Sequence, residues 1–441
     1  MNVGIINFDG RRGGAAFIAR MIQSGLRQHG DTATFACAKD ASGDDIFLGG
    51  SLGRGRWFHQ WTPIIDALPG DLPRIHPLTL LRAAAQVARQ PTLLATHLRG
   101  RENFAFPGTG NVPDCFRPRP DVLHLHNLHG GFFDLRHLPR ISATIPTAVT
   151  LHDAWLLAGH CSHSMDCDRW ISGCGRCPDL HRYVPIALDG SAANWEIKRQ
   201  IFEKSRIHVA VPCEWLLSRV RQSILAPAVI DARVIPHGIT FDHAHRVPRA
   251  ELRHRLGWPQ DRVVILAVFG DRPSPWRDPR TFSAAVRMVL ATHADRAMFV
   301  IVGGSMAQMM KDEPNVRVVD GAHRDRLIDL MRAADIYVHS ALADTFPTIV
   351  LEALACGLPV IATAAGGVPE QVHDGKTGFV VPIGDADALA AAVMRLLEVD
   401  GSLSQMSAAA ALDARVRFSE ERMIACYREW LADVAAKDAR M

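Results

Sequence analysis

Val3 to Phe8 read as an apolar strand, and a glycine turn follows it directly: Asp9, Gly10, Arg11, Arg12, Gly13, Gly14. Phe17, Ile18, Met21, Ile22 and Leu26 then repeat at helical spacing until Gly30, and Thr32 to Cys37 make a second strand. A strand, a tight turn, a helix and a further strand open a parallel sheet, because parallel strands need a crossover between them. The rhythm continues through strands at Val122–His126, Thr147–Leu151, Ile207–Val211 and Arg233–Ile235. It starts afresh after residue 240, with strands at Val263–Phe269, Met298–Val302, Val316–Val319 and Ile336–His339. Helices are expected near 281–292, 324–332, 348–355, 387–397 and 420–435. The chain is therefore read as α/β, with two doubly wound, Rossmann-like units. The 441 residues are enough for two such units at roughly 100–200 residues per domain.

Composition narrows the function classes. The hydrophobic fraction of 48% supplies a full core, which excludes a disordered or disulfide-stapled chain. Lys plus Arg number 49 against 46 Asp plus Glu, a balance that carries no nucleic-acid footprint. The longest apolar run, Ala386 to Leu397, is too short for a bilayer and contains Asp387 and Arg395. The first residues put the apolar run before the basic ones, the reverse of a signal peptide. A cytoplasmic setting is expected. Residues 39–120 are less regular, with one helical stretch near 78–98. They bring Arg54, Arg56, Arg74, Arg82, Arg89, Arg99 and Arg101 together with Trp57, Phe58 and Trp61, against only Asp66 and Asp71. Such a surface can lie peripherally against anionic lipid, but a solvated insertion is the plainer reading.

Two segments carry chemistry on their own terms. In Asp344-Thr-Phe-Pro-Thr-Ile-Val-Leu-Glu352, one carboxylate precedes a helix and the other lies about two turns into it. Pro347 suits the first turn of that helix. Unpaired N–H groups at its start can hold an anion. Within the loop spanning 159–180, Cys161, Cys167, Cys174 and Cys177 stand in a C-x5-C-x6-C-x2-C pattern, with His160 and His163 nearby. That spacing suits a structural zinc of four thiolates with no open position, the alternative being reduced or redox-active thiols. His124, His126 and His129 invite a metal reading too, but their positions at a strand end and a turn argue for ordinary polar roles.

The paired acids resemble the motif of GT-B glycosyltransferases of family 4, and other segments follow in family order. These are Gly13-Gly14 after the first strand, Thr150-Leu-His152-Asp153, and Val234-Ile-Pro-His-Gly238-Ile239. Gly270-Asp-Arg272-Pro-Ser-Pro-Trp-Arg277 and Gly366-Gly-Val-Pro-Glu370 follow. Residues 122–180, with Glu102-Asn-Phe-Ala-Phe-Pro107, resemble the subset that builds bacterial exopolysaccharides, including colanic-acid-type transferases. The resemblance implies a GT-B fold of two Rossmann-like domains facing across a cleft. Residues 1–236 would form the acceptor side, 237–415 would bind the nucleotide-sugar, and 416–441 would be a helix returning to the first domain.

It also implies the activity: a retaining, metal-independent transfer of a hexose from a UDP- or GDP-sugar to a saccharide, lipid-linked at the inner face of the cytoplasmic membrane. Breaking the anomeric bond leaves charge on a diphosphate. Arg272 and Arg277 would stabilise it in place of a metal, helped by the helix start at Phe346, Pro347 and Thr348. His152 would bond the donor sugar, Asp344 its hydroxyls and Glu352 the ribose, while Gly13 and Gly14 would give the donor room. The chain departs from the pattern at Arg277, where the family has Lys, at Asp344, where it has Glu, and at Asp278, where it has Gly. Asp278 would set a negative charge beside the diphosphate. A non-catalytic GT-B nucleotide-sugar-binding protein, a nucleotide-sugar epimerase and a zinc-dependent regulatory module are the competing readings.

Overall fold

The structure is a computed structural model and describes residues 1–48, 96, 98–102, 104, 106–241, 247–271, 273–321, 323–399 and 401–438. Arg272 and most of the basic stretch, including Arg54, Arg56, Arg74, Arg82, Arg89 and its aromatic residues, lie outside the described residues. The chain forms two compact units. The first comprises Met1–Val211, Leu216–Ile235 and Ile424–Met441; the second comprises Pro212–Trp215 and Pro236–Met423. The passage into the second unit falls at residue 236, and the return falls at Ile424 inside one helix, Glu420–Asp438.

In the first unit, β1 (Asn2–Asp9), β2 (Thr32–Lys39), β3 (Ile46–Phe47), β4 (Val122–Leu125), β5 (Thr147–Thr150), β6 (Ile207–Val211) and β7 (Val229–Val234) make one sheet. Its order is β3-β2-β1-β4-β5-β6-β7 and every pairing is parallel. The inner strands are buried without alternation because both faces are covered: every residue of β4, β5 and β6 is buried, including His124, Thr147, Thr150 and His208. The helix Gly14–Gln28 follows the glycine turn, with Gly13 as its N-cap at φ 87°. A positive φ of that size suits glycine, and a Cβ at Gly13 or Gly14 would meet no atom within 4 Å, so the helix start is open.

The second unit holds β8 (Val263–Val268), β9 (Ala297–Val302), β10 (Val316–Val319), β11 (Ile336–His339), β12 (Val360–Thr363) and β13 (Gly378–Val381). The order β10-β9-β8-β11-β12-β13 is again parallel throughout. Ile265, Phe299, Val338 and Ile361 of the sheet pack with Phe282, Val286 and Val289 of the helix Pro279–His293 and with Leu389 and Val393 of the helix Ala386–Glu398. The strand order turns back beside β8, between β9 and β11. In open α/β sheets that switch point opens a crevice beyond the carboxyl ends of the strands. Among the described residues no helix is long and apolar enough to cross a membrane.

Candidate functional site

The two loops at the switch point of the second unit are tied together. Arg277, after β8, bridges antiparallel to Ala341, after β11, and Leu342 N–H donates to the Trp276 carbonyl at 2.8 Å. This join delivers Arg277 to Asp344: its Nη1 donates to Asp344 Oδ2 at 3.1 Å and to His339 Nε2 at 2.9 Å. Arginine only donates, so His339 Nε2 accepts and the ring is neutral. Its fully buried position, with the Arg277 charge alongside, pushes its pKa down to about 4. Tyr337 stands at the other nitrogen, 3.4 Å away. The Asp344 loop rests on the glycine pair that follows β12. Gly367 N–H donates to the Thr345 carbonyl at 3.0 Å, and a Cβ at Gly366 would lie 1.8 Å from the Asp344 carbonyl oxygen.

Phe346 is buried and meets His237 and Phe418 edge-on, with ring centroids 5.8 and 5.9 Å apart. Pro347 is the N-cap of the helix Thr348–Ala355 and supplies no side-chain cap. Glu352 is buried on that helix, 2.7 Å from Arg324 Nη2. Burial raises its pKa, and the Arg324 charge opposes the rise. The crevice thus carries one arginine on each acid of the pair. Arg324 and His339 were not anticipated. Nothing in the local sequence singles out Arg324, but a histidine closing a strand at the switch point is a legible signal.

Asp278 has a structural task of its own. It is buried and caps the helix Pro279–His293, its Oδ1 accepting from Thr281 N–H at 3.1 Å. The carboxylate satisfies a helix end, an ordinary use of aspartate before proline.

In the first unit, His152 follows β5, and its Nε2 lies 2.8 Å from His126 Nδ1. Burial, with His129 nearby, pushes its pKa down to about 4, although Asp153 pulls the other way. His129 Nε2 pairs with Asp153 Oδ2 at 2.9 Å. Burial would raise Asp153, but His129 and the Trp155 N–H hold it below the usual carboxylate range. His124 is buried against Thr150 Oγ1 at 2.8 Å. Each of His124, His126 and His129 thus meets a neighbouring side chain within the first unit. Cys161, Cys167, Cys174 and Cys177 line one small cavity with His160, whose Nε2 is 3.2 Å from Cys177 Sγ. Among the described residues no group of three or more His, Cys, Asp or Glu stands at metal-ligand positions.

Residues 248–413 match the family described as Glycosyl transferases group 1. The chain is 29% identical over 292 residues to the putative colanic acid biosynthesis glycosyl transferase WcaC of Escherichia coli (strain K12), covering 61% of this chain and 67% of that protein. It is 32% identical over 183 residues to the D-inositol 3-phosphate glycosyltransferase of Streptomyces griseus, of which it spans 38%. Among solved structures it resembles sucrose-phosphate synthase of Thermosynechococcus elongatus, with a TM-score of 0.64 and 16% identity over 99% of both chains. It also resembles Anabaena HepE in complex with UDP-glucose, with a TM-score of 0.62 and 17% identity over 98% of this chain and all of that one. The two parallel-sheet units and these neighbours establish a GT-B fold, and the residues that match the glycosyl transferases group 1 model lie in the second unit.

Proposed function

We propose that the protein is a retaining glycosyltransferase that moves a hexose from a nucleotide-sugar to a saccharide acceptor in exopolysaccharide assembly. The observation that carries the reading is the crevice beyond β8 and β11. A cation, Arg277, is fixed beside Asp344 at the open start of a helix that buries Glu352. A sugar diphosphate meets its needs there. Arg277 and the helix N–H groups take the leaving-group charge, with Arg272 assigned the same task from its place in the segment. Asp344 takes sugar hydroxyls and Glu352 takes the ribose, with Arg324 orienting its carboxylate.

His152, whose burial holds its pKa down to about 4, is assigned the donor-sugar hydrogen bond from its place in the Thr150–Asp153 segment. No protein nucleophile or metal is assigned: a diphosphate oxygen takes the acceptor's proton while the acceptor enters on the leaving-group face. HepE is solved with UDP-glucose, which favours a uridine donor, and the likeness to a colanic acid biosynthesis glycosyl transferase favours a polysaccharide product. The four-cysteine loop keeps its zinc reading on spacing and on the shared cavity. Metal analysis is expected to find one zinc per chain, and metal-free protein with an unchanged melting temperature would end that reading.

The test of the donor site is thermal stability against UDP-, GDP- and ADP-sugars. A ligand at 100 times its Kd adds about 2.7 kcal/mol. One nucleotide class should raise the melting temperature of the wild type and leave Glu352→Ala unmoved. No shift with any of them would leave the crevice without a donor.

A further inference from the structure

The turn after β12 holds the loop that leads into the helix Thr348–Ala355 at two carbonyls. Gly367 N–H donates to that of Thr345 at 3.0 Å, and the side-chain Nε2 of Gln371 donates to that of Pro347 at 3.0 Å. Gln371 closes the short helix Val368–Gln371 and is fully buried. Its other amide atom, Oε1, is buried too and has no partner among the described residues. Buried acceptors are nearly always paired, and leaving one unpaired is costly. A leucine or a methionine would fill this position without that cost. The amide thus answers to its single side-chain bond, and the acceptor of that bond is the cap residue of the longer helix.

A trans peptide is planar, with its C=O and N–H pointing in opposite directions. The Thr345 carbonyl shares a trans peptide with the Phe346 N–H, and the Pro347 carbonyl shares one with the Thr348 N–H. Both carbonyls are drawn to one short turn, so both N–H groups point away from it. Neither N–H has a partner among the described residues. Pro347 has no N–H between them, and no side chain caps the helix. The Pro347 carbonyl also receives Val350 N–H at 3.2 Å, the ordinary bond of a first turn. Gln371 adds the bond from outside the helix. The same loop carries Asp344, on which Arg277 is fixed.

We propose that Gln371 is a positioning residue of the donor site: by holding back the Pro347 carbonyl it aims the Thr348 N–H, with that of Phe346, at the diphosphate of a nucleotide-sugar. The proposal rests on the donor reading of the crevice. Gln371 is fully buried, so it touches no part of the donor and acts through one peptide. Backbone donors suit a diphosphate, because charge-assisted hydrogen bonds are strong and a peptide already held in place needs no reorganisation on binding. Without the Gln371 bond the Pro347–Thr348 peptide is free to tilt, and the two donors lose their common direction. A purely structural role predicts a different pattern. The fold would weaken, and every ligand of the crevice would weaken with it.

The test combines calorimetric binding of UDP, GDP and ADP with saturation-transfer NMR of uridine, guanosine and adenosine. It compares wild type with Gln371→Met and Gln371→Leu, and melting curves are recorded for all three proteins. Misaligned donors are expected to weaken the bound diphosphate by about tenfold or more, with transfer to the matching nucleoside unchanged. Both variants are expected to keep the wild-type melting temperature, since the unpaired Oε1 goes with the lost bond. Diphosphate binding unchanged in both variants overturns the proposal and leaves the donor reading standing. Equal weakening of nucleoside and diphosphate, or a fall in melting temperature or loss of the fold in both variants, marks Gln371 as structural and overturns it as well. If only one variant folds, that variant decides. A wild type that binds none of the three diphosphates removes the donor reading, and the proposal with it.

Discussion

Buried histidines, His124, His152 and His339 among them, tie the stability of the molecule to pH. Burial pushes the pKa of His124 down to about 3, and burial with the adjacent Arg277 pushes that of His339 down to about 4. An unfolded histidine titrates near 6.5. Between the folded and unfolded values the unfolded chain binds a proton that the fold refuses, so stability rises with pH across that window. The contribution is complete above about pH 6.5 and is lost as pH falls toward 4. At about 1.4 kcal/mol per pKa unit, His339 accounts for on the order of 3 kcal/mol. Urea unfolding from about pH 7.5 to 4.5 should therefore show a shallower pH slope in His339→Gln than in the wild type. Equal slopes would mean that His339 is charged in the fold. The same residue sets the local charge balance of the crevice. A neutral ring beside Arg277 leaves the guanidinium charge for Asp344 and for a diphosphate.

At the scale of elements, the crevice depends on two loops that hold each other and on a glycine pair that supports one of them. The approach of Gly366 to the Asp344 carbonyl is closer than any side chain allows. Gly366→Ala must push the loop away, at about 1–3 kcal/mol, and should abolish the nucleotide-sugar melting shift although no ligand-facing group is removed. A variant that melts lower but still responds to the donor would show that the loop position is not critical. The segment Gly366-Gly-Val-Pro-Glu370 was legible by resemblance, and the structure supplies its reason. Elements with weak periodicity were not legible. The helix Ser402–Arg417 buries only Met406, Ala410 and Ala414, small residues that leave little apolar signal. Strand β13 is four residues long. The partners Arg324 and Lys198 escaped because their acids lie far off in sequence, 96 residues away for Glu102 and Lys198, and only the fold brings them together.

At the scale of the whole molecule, a rhythm of strand, turn and helix repeated along the chain led to two parallel sheets with their strand orders turning back beside β1 and β8. That much was legible because crossover connections force parallel pairing and because buried parallel strands are apolar throughout. The second unit presents Arg277 and Arg324 beside two acids and a helix start, and the proposed diphosphate site is placed there for that reason. The central claim is a transfer with retention, and proton NMR of the protein with UDP-glucose and with GDP-mannose tests it most directly. Slow donor cleavage should release the nucleoside diphosphate, with the α-anomer of the free hexose appearing first. The β-anomer appearing first, or conversion of the donor to an isomeric nucleotide-sugar without release of diphosphate, would contradict it.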